Sequence, residues 1–267
     1  MTRLRGPAFL IVFGAFLPVA ALADEAATLD AQAEVERADP NRSTFTDDAR
    51  ILPVGRIDLE AGYQLVFDAL DLQSMEIVAR YSPLARHEYR LGWYVFGLRE
   101  SLGDESDAGV GDLFAEGKWS IDVDPIGYHK LAVLARVRPG IGQDPVSRDG
   151  LEVAGFAVYS VEPDPVRVDV QAGIDIFGIT DDLNIYIPLS AAVRWSPIAP
   201  LDVFGEFVES LNLDDLSNSG TEFRAGVAWF PVPVVALDLA ATVGLSEIVP
   251  DAGLRFGVSW LSPDVRR

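Results

Sequence analysis

The chain has 267 residues, with 21 Lys and Arg against 41 Asp and Glu, a net charge of -20, two His and no Cys. The absence of Cys excludes disulfide scaffolds, thiol nucleophiles and Cys-ligated metal or cluster sites, and the acidity argues against nucleic acid as a partner. Acidic chains are usually poor in apolar residues, yet this one is 49% hydrophobic with a positive mean hydropathy.

The N-terminus accounts for part of that. Arg3 and Arg5 precede an apolar stretch from Pro7 to Ala20, and Ala21-Leu22-Ala23 stands before Asp24. A basic start, an apolar run and a small-x-small site make a secretory signal peptide over residues 1–23. The run is broken by Pro18 and is short for a membrane-spanning helix. Export of a Cys-free chain suits a bacterial envelope. The next stretch, Asp24–Gly55, holds eight acids and three bases and reads as a periplasmic segment, either a flexible tail or a partial plug.

From Arg56 onward the pattern has a period of two. In Arg56–Phe67, Ile57, Leu59, Ala61, Tyr63, Leu65 and Phe67 alternate with Arg56, Asp58, Glu60, Gly62, Gln64 and Val66. Side chains on a strand alternate between faces, so one face is apolar and the other mostly polar. The same alternation recurs in Ser74–Tyr81, Glu88–Arg99, Val110–Val123, Lys130–Arg138, Leu151–Val161 and Val166–Ile179. It continues in Leu183–Trp195, Leu201–Val208, Thr221–Phe230, Val234–Leu245 and Ala252–Leu261. Of the 26 charged residues in these twelve segments, 25 fall on the polar phase and only Arg99 does not. A random arrangement would divide them about evenly.

Such strands can stack as a soluble sandwich with the apolar faces inward, or close into a transmembrane barrel with the apolar face toward lipid. Segment length, near ten residues, and an even strand number favour the barrel. So do the connections. Every second one is a short proline turn: Ser82-Pro83, Asp124-Pro125, Glu162 to Pro165, Ser196-Pro197 and Pro231 to Pro233. The intervening connections carry a summed charge of -14. Short turns face the periplasm and longer loops face outward in outer-membrane barrels. Six aromatics, Tyr81, Trp119, Tyr159, Trp195, Trp229 and Trp260, precede the proline turns or the terminus on the apolar phase. They form the expected membrane-interface girdle. The expectation is an all-β chain: a single antiparallel transmembrane barrel of about twelve strands over residues 56–262, with a short tail at 263–267.

The stretch Asn41-Arg42-Ser43-Thr44-Phe45-Thr46-Asp47-Asp48, followed by Leu52-Pro53-Val54-Gly55-Arg56-Ile57-Asp58-Leu59-Glu60-Ala61-Gly62-Tyr63, resembles the opening segment of a known family. These are outer-membrane proteins labelled transporters, the meta-pathway phenol-degradation proteins. Val203 to Phe207 and Leu254 to Trp260 are similar to that family's later strands. The resemblance implies an outer-membrane channel admitting small hydrophobic or aromatic solutes. It departs at the C-terminus, where Leu261–Arg267 follows the last aromatic.

On the polar phase, Asp112, Glu116, Lys118, Asp122, Lys130, Arg136, Arg138, Asp169, Arg194, Glu206, Arg224 and Arg255 are the candidate lumen-lining charges. Lys130, Arg136 and Arg138 are expected to face Asp112, Glu116 and Asp122 on the preceding strand. Twelve strands lie between the filled eight-stranded barrel and the open sixteen-stranded pore, so a narrow channel and a plugged barrel are both compatible. Pro188, mid-strand on the lumen phase, implies a bulge or ladder gap, harmless or a lateral gate. His87 and His129 lie beside proline turns, away from the outer rim where barrel enzymes keep their dyads. No catalytic set, cofactor or metal site is therefore expected. A structural or adhesive barrel, or a lipid-modifying enzyme, is the alternative to a channel. The partners expected are outer-membrane lipid and lipopolysaccharide, the barrel-assembly machinery, and a small apolar or aromatic solute.

Overall fold

The computed structural model describes residues 37–41, 44–68, 71–100, 106–123, 127–147, 150–179 and 183–266. The signal peptide assigned to residues 1–23 lies outside them. The strands are β1 Ile57–Phe67, β2 Asp71–Leu84, β3 His87–Glu100, β4 Asp107–Gly109, β5 Leu113–Asp122, β6 His129–Arg138 and β7 Glu152–Val161. They continue as β8 Val166–Phe177, β9 Asn184–Ile198, β10 Leu201–Asn212, β11 Gly220–Val232, β12 Val235–Gly244 and β13 Ala252–Leu261. Every neighbour in the ring is antiparallel. β1 pairs with β13 over ten positions, and β2 pairs with both β1 and β3, so the sheet closes on itself. Both β4 and β5 pair with β3 and together form one stave. The result is a closed antiparallel barrel of twelve staves, and closure leaves no edge strand exposed.

Burial follows the alternation. On β7, Glu152, Ala154, Phe156, Val158 and Ser160 are buried while the residues between them are exposed or half-buried. On β10, Asp202, Phe204, Glu206 and Val208 are buried. The charged phase faces the lumen and the apolar phase faces outward. Leu91, Trp195 and Trp229 are half or more exposed on that outer wall.

Two irregularities sit side by side. The pairing of β2 with β3 shifts between Met75 and Glu76, so Val95 is bulged out. An added residue inverts the face of everything beyond it. Arg99 therefore pairs with Leu72 on the lumen phase, and the one exception to the sequence alternation becomes an inward charge. Beside it, Val110–Asp112 separates β4 from β5 while keeping backbone bonds to Tyr94 of 2.8 and 3.1 Å.

The first and last strands of the barrel meet at the proline-turn end. Ser262 donates to the Ile57 carbonyl at 2.7 Å and Val265 to that of Gly55 at 2.8 Å, so the tail beyond β13 lies against the start of β1.

Candidate functional site: the lumen and the segment inside it

Residues 37–41 and 44–54 occupy the lumen. At the proline-turn end, Ala38 N–H donates to the Pro233 carbonyl at 2.9 Å and Arg37 bonds Asp202 at 2.7 Å. The segment rises to Thr44–Asp47 and returns, and Gly55 N–H donates to Ser82 at 2.7 Å at the same end. It is held by side chains from around the ring. Phe45 N–H donates to Glu206 at 2.9 Å, as does the Thr46 N–H, and the Thr46 hydroxyl reaches Glu206 at 2.6 Å and Ser190 at 2.8 Å. Asp47 N–H donates to Gln171 at 2.9 Å, Ala49 N–H to Ser160 at 2.8 Å and Leu52 N–H to Glu88 at 3.0 Å. Irregular backbone must find partners when buried, and here the wall supplies them.

Two carboxylates form the hub. Asp47 bonds Arg90 and sits 2.9 Å from Lys118 Nζ. Asp48 lies 3.0 Å from Arg50, 3.1 Å from Arg167 and 3.5 Å from Lys118. Burial pushes the Asp47 carboxyl up, but Arg90 and Lys118 outweigh it and hold the group well below the usual carboxylate range. Asp48 is displaced the same way: Arg50, Arg167 and Lys118 overcome its burial. Nearer the proline turns, Arg80 joins Glu60 at 2.9 Å and Asp58 at 3.3 Å, and also bonds the Asp39 carbonyl. Arg50 reaches back to Asp39 at 2.8 Å and ties the two limbs of the segment together. Two buried apolar patches join the segment to the wall, Ala38 and Leu52 with Phe230 and Leu261, and Ala49 with Leu134 and Phe156.

A second element turns inward at the acidic-loop end. Asp112, fully buried, accepts from Ile141 N–H at 2.8 Å, Gly142 N–H at 2.7 Å and the Ser147 hydroxyl at 3.0 Å. Gln143 N–H donates to Val110 at 2.7 Å, and Arg99 to Pro145 at 3.4 Å. Val146 packs on the lumen side of Gly97, where a Cβ would come within 2.0 Å of it. The connection from β6 to β7 thus folds against the β3–β5 wall, seated on the break between β4 and β5.

Of the candidate lumen residues, Asp112, Glu116, Lys118, Arg138, Asp169, Arg194, Glu206 and Arg224 are buried on the lumen phase, and Lys130, Arg136 and Arg255 are half-buried there. Asp122 lies opposite Lys130 in register. Of the expected facing bases and acids, Arg136 stands opposite Glu116 and Lys130 opposite Asp122 in register, and Arg136 bonds Glu116 at 2.9 Å. Arg138 pairs instead with Glu152 on β7, Lys130 with Glu162 at 2.6 Å, and Asp112 with the inward loop. Each base has two neighbouring staves, and pairing forward to β7 satisfies Arg138 while Asp112 is drawn away. Asp169 accepts from Ser160 at 2.6 Å and Arg167 at 2.8 Å, and Arg194 faces Asp202 at 3.6 Å. Pro188 leaves a gap without a bulge. β8 and β9 pair at Ala172–Leu189 and again at Asp175–Tyr186 in unshifted register, with no pairs between, while β9–β10 pairing runs through Pro188. The six girdle aromatics all pair near the start of a neighbouring strand at the proline-turn end, with Trp195 and Trp229 each 50% exposed. His129 Nδ1 lies 2.5 Å from the hydroxyl of one of them, Tyr159. Among the described residues no group of three carboxylates or imidazoles is placed to hold a metal ion.

Two sets of lumen residues escaped the charge pattern. Phe114, Phe156, Phe204 and Phe230 are buried on the charged phase, the signal that marks them in the sequence. Three of them lie over a register partner that lacks a Cβ: Phe114 over Gly92, Phe156 over Gly173 and Phe204 over Gly226. A Cβ at Gly92 would come within 2.0 Å of the Phe114 ring, so glycine lets the ring lie against the wall. Arginines cover these rings: Arg136 over Phe114 and Phe156 at 5.5 Å, Arg194 over Phe204 at 5.9 Å and Arg37 over Phe230 at 3.5 Å. The other set is Asp47, Asp48 and Arg50, which stand outside any strand and have no periodic signal.

The barrel is similar to solved porins. One structure of the NanC porin superposes with a TM-score of 0.55 at 10% identity, covering 76% of this chain and 98% of that one. The KdgM porin gives 0.54 at 6% identity, covering 75% and 98%. The translocator domain of the autotransporter NalP from Neisseria meningitidis gives 0.50 at 9%, covering 77% and 87%. At such identities the likeness concerns the fold. No family model matches the sequence, and no curated relative matches it.

Proposed function

We propose that the chain is an outer-membrane channel for small, hydrophobic or aromatic solutes, closed in the described conformation by residues 37–54. The observation that carries the reading is how the lumen is filled. A purely structural barrel fills its interior with wall side chains. Here a separate segment fills it, held mainly by hydrogen bonds and ion pairs that water can replace one for one. The apolar outer wall and aromatic girdle support placement in a bilayer, with the proline turns toward the periplasm and the acidic loops outside. Lipid and lipopolysaccharide are then the surrounding partners, and the barrel-assembly machinery the route of insertion. The finer reading of the solute is supported by the four lumen phenylalanines under arginines, by the ladder gap at Pro188 and by the resemblance to the phenol-degradation transporters.

The test is planar-bilayer conductance of the refolded mature protein, after heat-modifiable migration confirms a barrel. Discrete steps with mild cation preference are expected, appearing more often when residues 37–54 are loosened. A heat-modifiable barrel that stays silent under every loosening change would overturn the channel reading.

A further inference from the structure

The tip of the inserted segment sets a floor in the lumen. The Thr46 hydroxyl bonds Ser190 of β9 at 2.8 Å, and the Asp47 N–H donates to Gln171 of β8 at 2.9 Å. One lumen-facing step further toward the acidic loops, the same two strands carry Gly173 and Pro188. That is where β8–β9 pairing lapses, between Ala172–Leu189 and Asp175–Tyr186. Pro188 has no N–H to give, and Gly173 has no side chain to close the space beside it. The interruption thus lies directly above the floor. Gly173, Ile174, Ile187 and Pro188 frame it, and none of them brings a charged or hydrogen-bonding side chain.

One side chain covers the interruption from the lumen. Phe156 of β7 is buried and stands opposite Gly173 in register, and a Cβ at Gly173 would run into its ring. Packing holds that ring: Ala49 of the inserted segment and Leu134 share its apolar patch, and the Arg136 guanidinium lies 5.5 Å over it. Further toward the acidic loops, Phe177 and Tyr186 stack at 5.3 Å on the lumen phase of β8 and β9, both half-buried. An aromatic pair, a covered interruption and a floor therefore follow one another down a single wall. The other break, between β4 and β5, is covered by the backbone of the inward loop, which no side-chain rotation removes.

We propose that the inserted segment turns uncharged apolar solutes sideways, through the β8–β9 interruption into the surrounding lipid, and that Phe156 is the door of that exit. The proposal rests on the channel reading, since the solute enters by the lumen, and it names the route and the residue that controls it. The solute class follows from the frame. A charged solute leaving here finds no partner between Gly173 and Pro188 and gives up its hydration, whereas an uncharged ring exchanges one apolar contact for another. Rotation of one side chain uncovers the frame, so the segment itself stays in place.

The experiment uses Gram-negative cells that carry the full chain in a lipopolysaccharide-covered outer membrane, with N-phenyl-naphthylamine as probe. This uncharged diarylamine fluoresces when it reaches acyl chains, and an intact lipopolysaccharide leaflet holds it out. Phe156→Ala is expected to speed its entry about tenfold, because moving a buried ring off its seat no longer adds to the barrier. Adding Pro188→Val, which supplies the missing N–H, should return entry to the parent rate. Val158→Ala thins the same apolar patch but stands opposite Gln171, not a glycine, and should leave entry unchanged. Anilinonaphthalene sulfonate, the charged relative of the probe, should gain nothing from Phe156→Ala. Heat-modifiable migration checks that each variant is folded. Entry indifferent to Phe156→Ala, acceleration that survives Pro188→Val, or equal acceleration by Val158→Ala or of the sulfonate would each overturn the proposal. Bilayer conductance of the same variants keeps the two readings apart. A conducting barrel whose Phe156→Ala variant admits the probe at the parent rate removes only the side exit. A barrel silent under every loosening change, whose Phe156→Ala variant still admits the probe faster, removes only passage across the membrane.

Discussion

Glu206 is the side chain on which the tip of the inserted segment rests, since it accepts from two backbone N–H groups and one hydroxyl. Bonds to a charged acceptor contribute about 1.5–3 kcal/mol each. Glu206→Ala is therefore expected to raise the open fraction in bilayer recordings by at least about tenfold, and an unchanged open fraction would show that the tip is held elsewhere. Asp47 and Asp48 set the pH behaviour. Their carboxyls are held well below the usual range by Arg90, Lys118, Arg50 and Arg167 against the opposing effect of burial. A carboxyl depressed in the folded state stabilises it fully above its ordinary pKa, about 3.9, and loses that contribution as pH falls toward the depressed value. Conductance should thus stay flat from pH 7 to 5 and rise only below about pH 4. A rise centred near pH 6 would point to another group.

At the scale of single strands and loops, two features invite a test. The inward loop hangs on Asp112, whose carboxylate accepts from Ile141, Gly142 and Ser147. Asp112→Ala leaves those donors to water, and limited proteolysis should then cut within residues 139–150 faster than in the parent protein while the barrel stays intact. Pro188 interrupts β8–β9 pairing without shifting its register. Pro188→Val offers the missing N–H, and uptake of an apolar solute into liposomes should slow if the gap is a lateral exit. Unaltered uptake would make the gap a harmless interruption.

At the level of the whole molecule, closure depends on whether residues 37–54 can leave. The chain has no Cys, so an introduced pair stands alone. Ala49 N–H and the Ser160 side chain are 2.8 Å apart, and Ala49→Cys with Ser160→Cys should form a staple under oxidation. The oxidised protein is expected to stay silent in bilayers and the reduced one to recover opening; conductance indifferent to the staple would mean that solute passes with the segment in place. The barrel was legible in the sequence because an apolar outer wall and a polar lumen impose a period of two on every stave, and a period survives without tertiary contacts. Arg99 shows the limit: its apparent misplacement is corrected by a bulge at Val95 that leaves no local mark. The same holds for Arg138 and Asp112, whose phase was readable but whose partners depend on which neighbouring stave or loop comes close enough. Residues 37–54 carry neither period nor apolar run, and their place inside the lumen arises from hydrogen-bonding groups presented by strands up to 165 positions away. The sequence by itself determined the two-faced strands, their number and the direction of their charges. The tertiary structure alone decided what fills the space those charges enclose, because an ion pair is selected by distance in the closed ring and the order of the chain does not encode that distance.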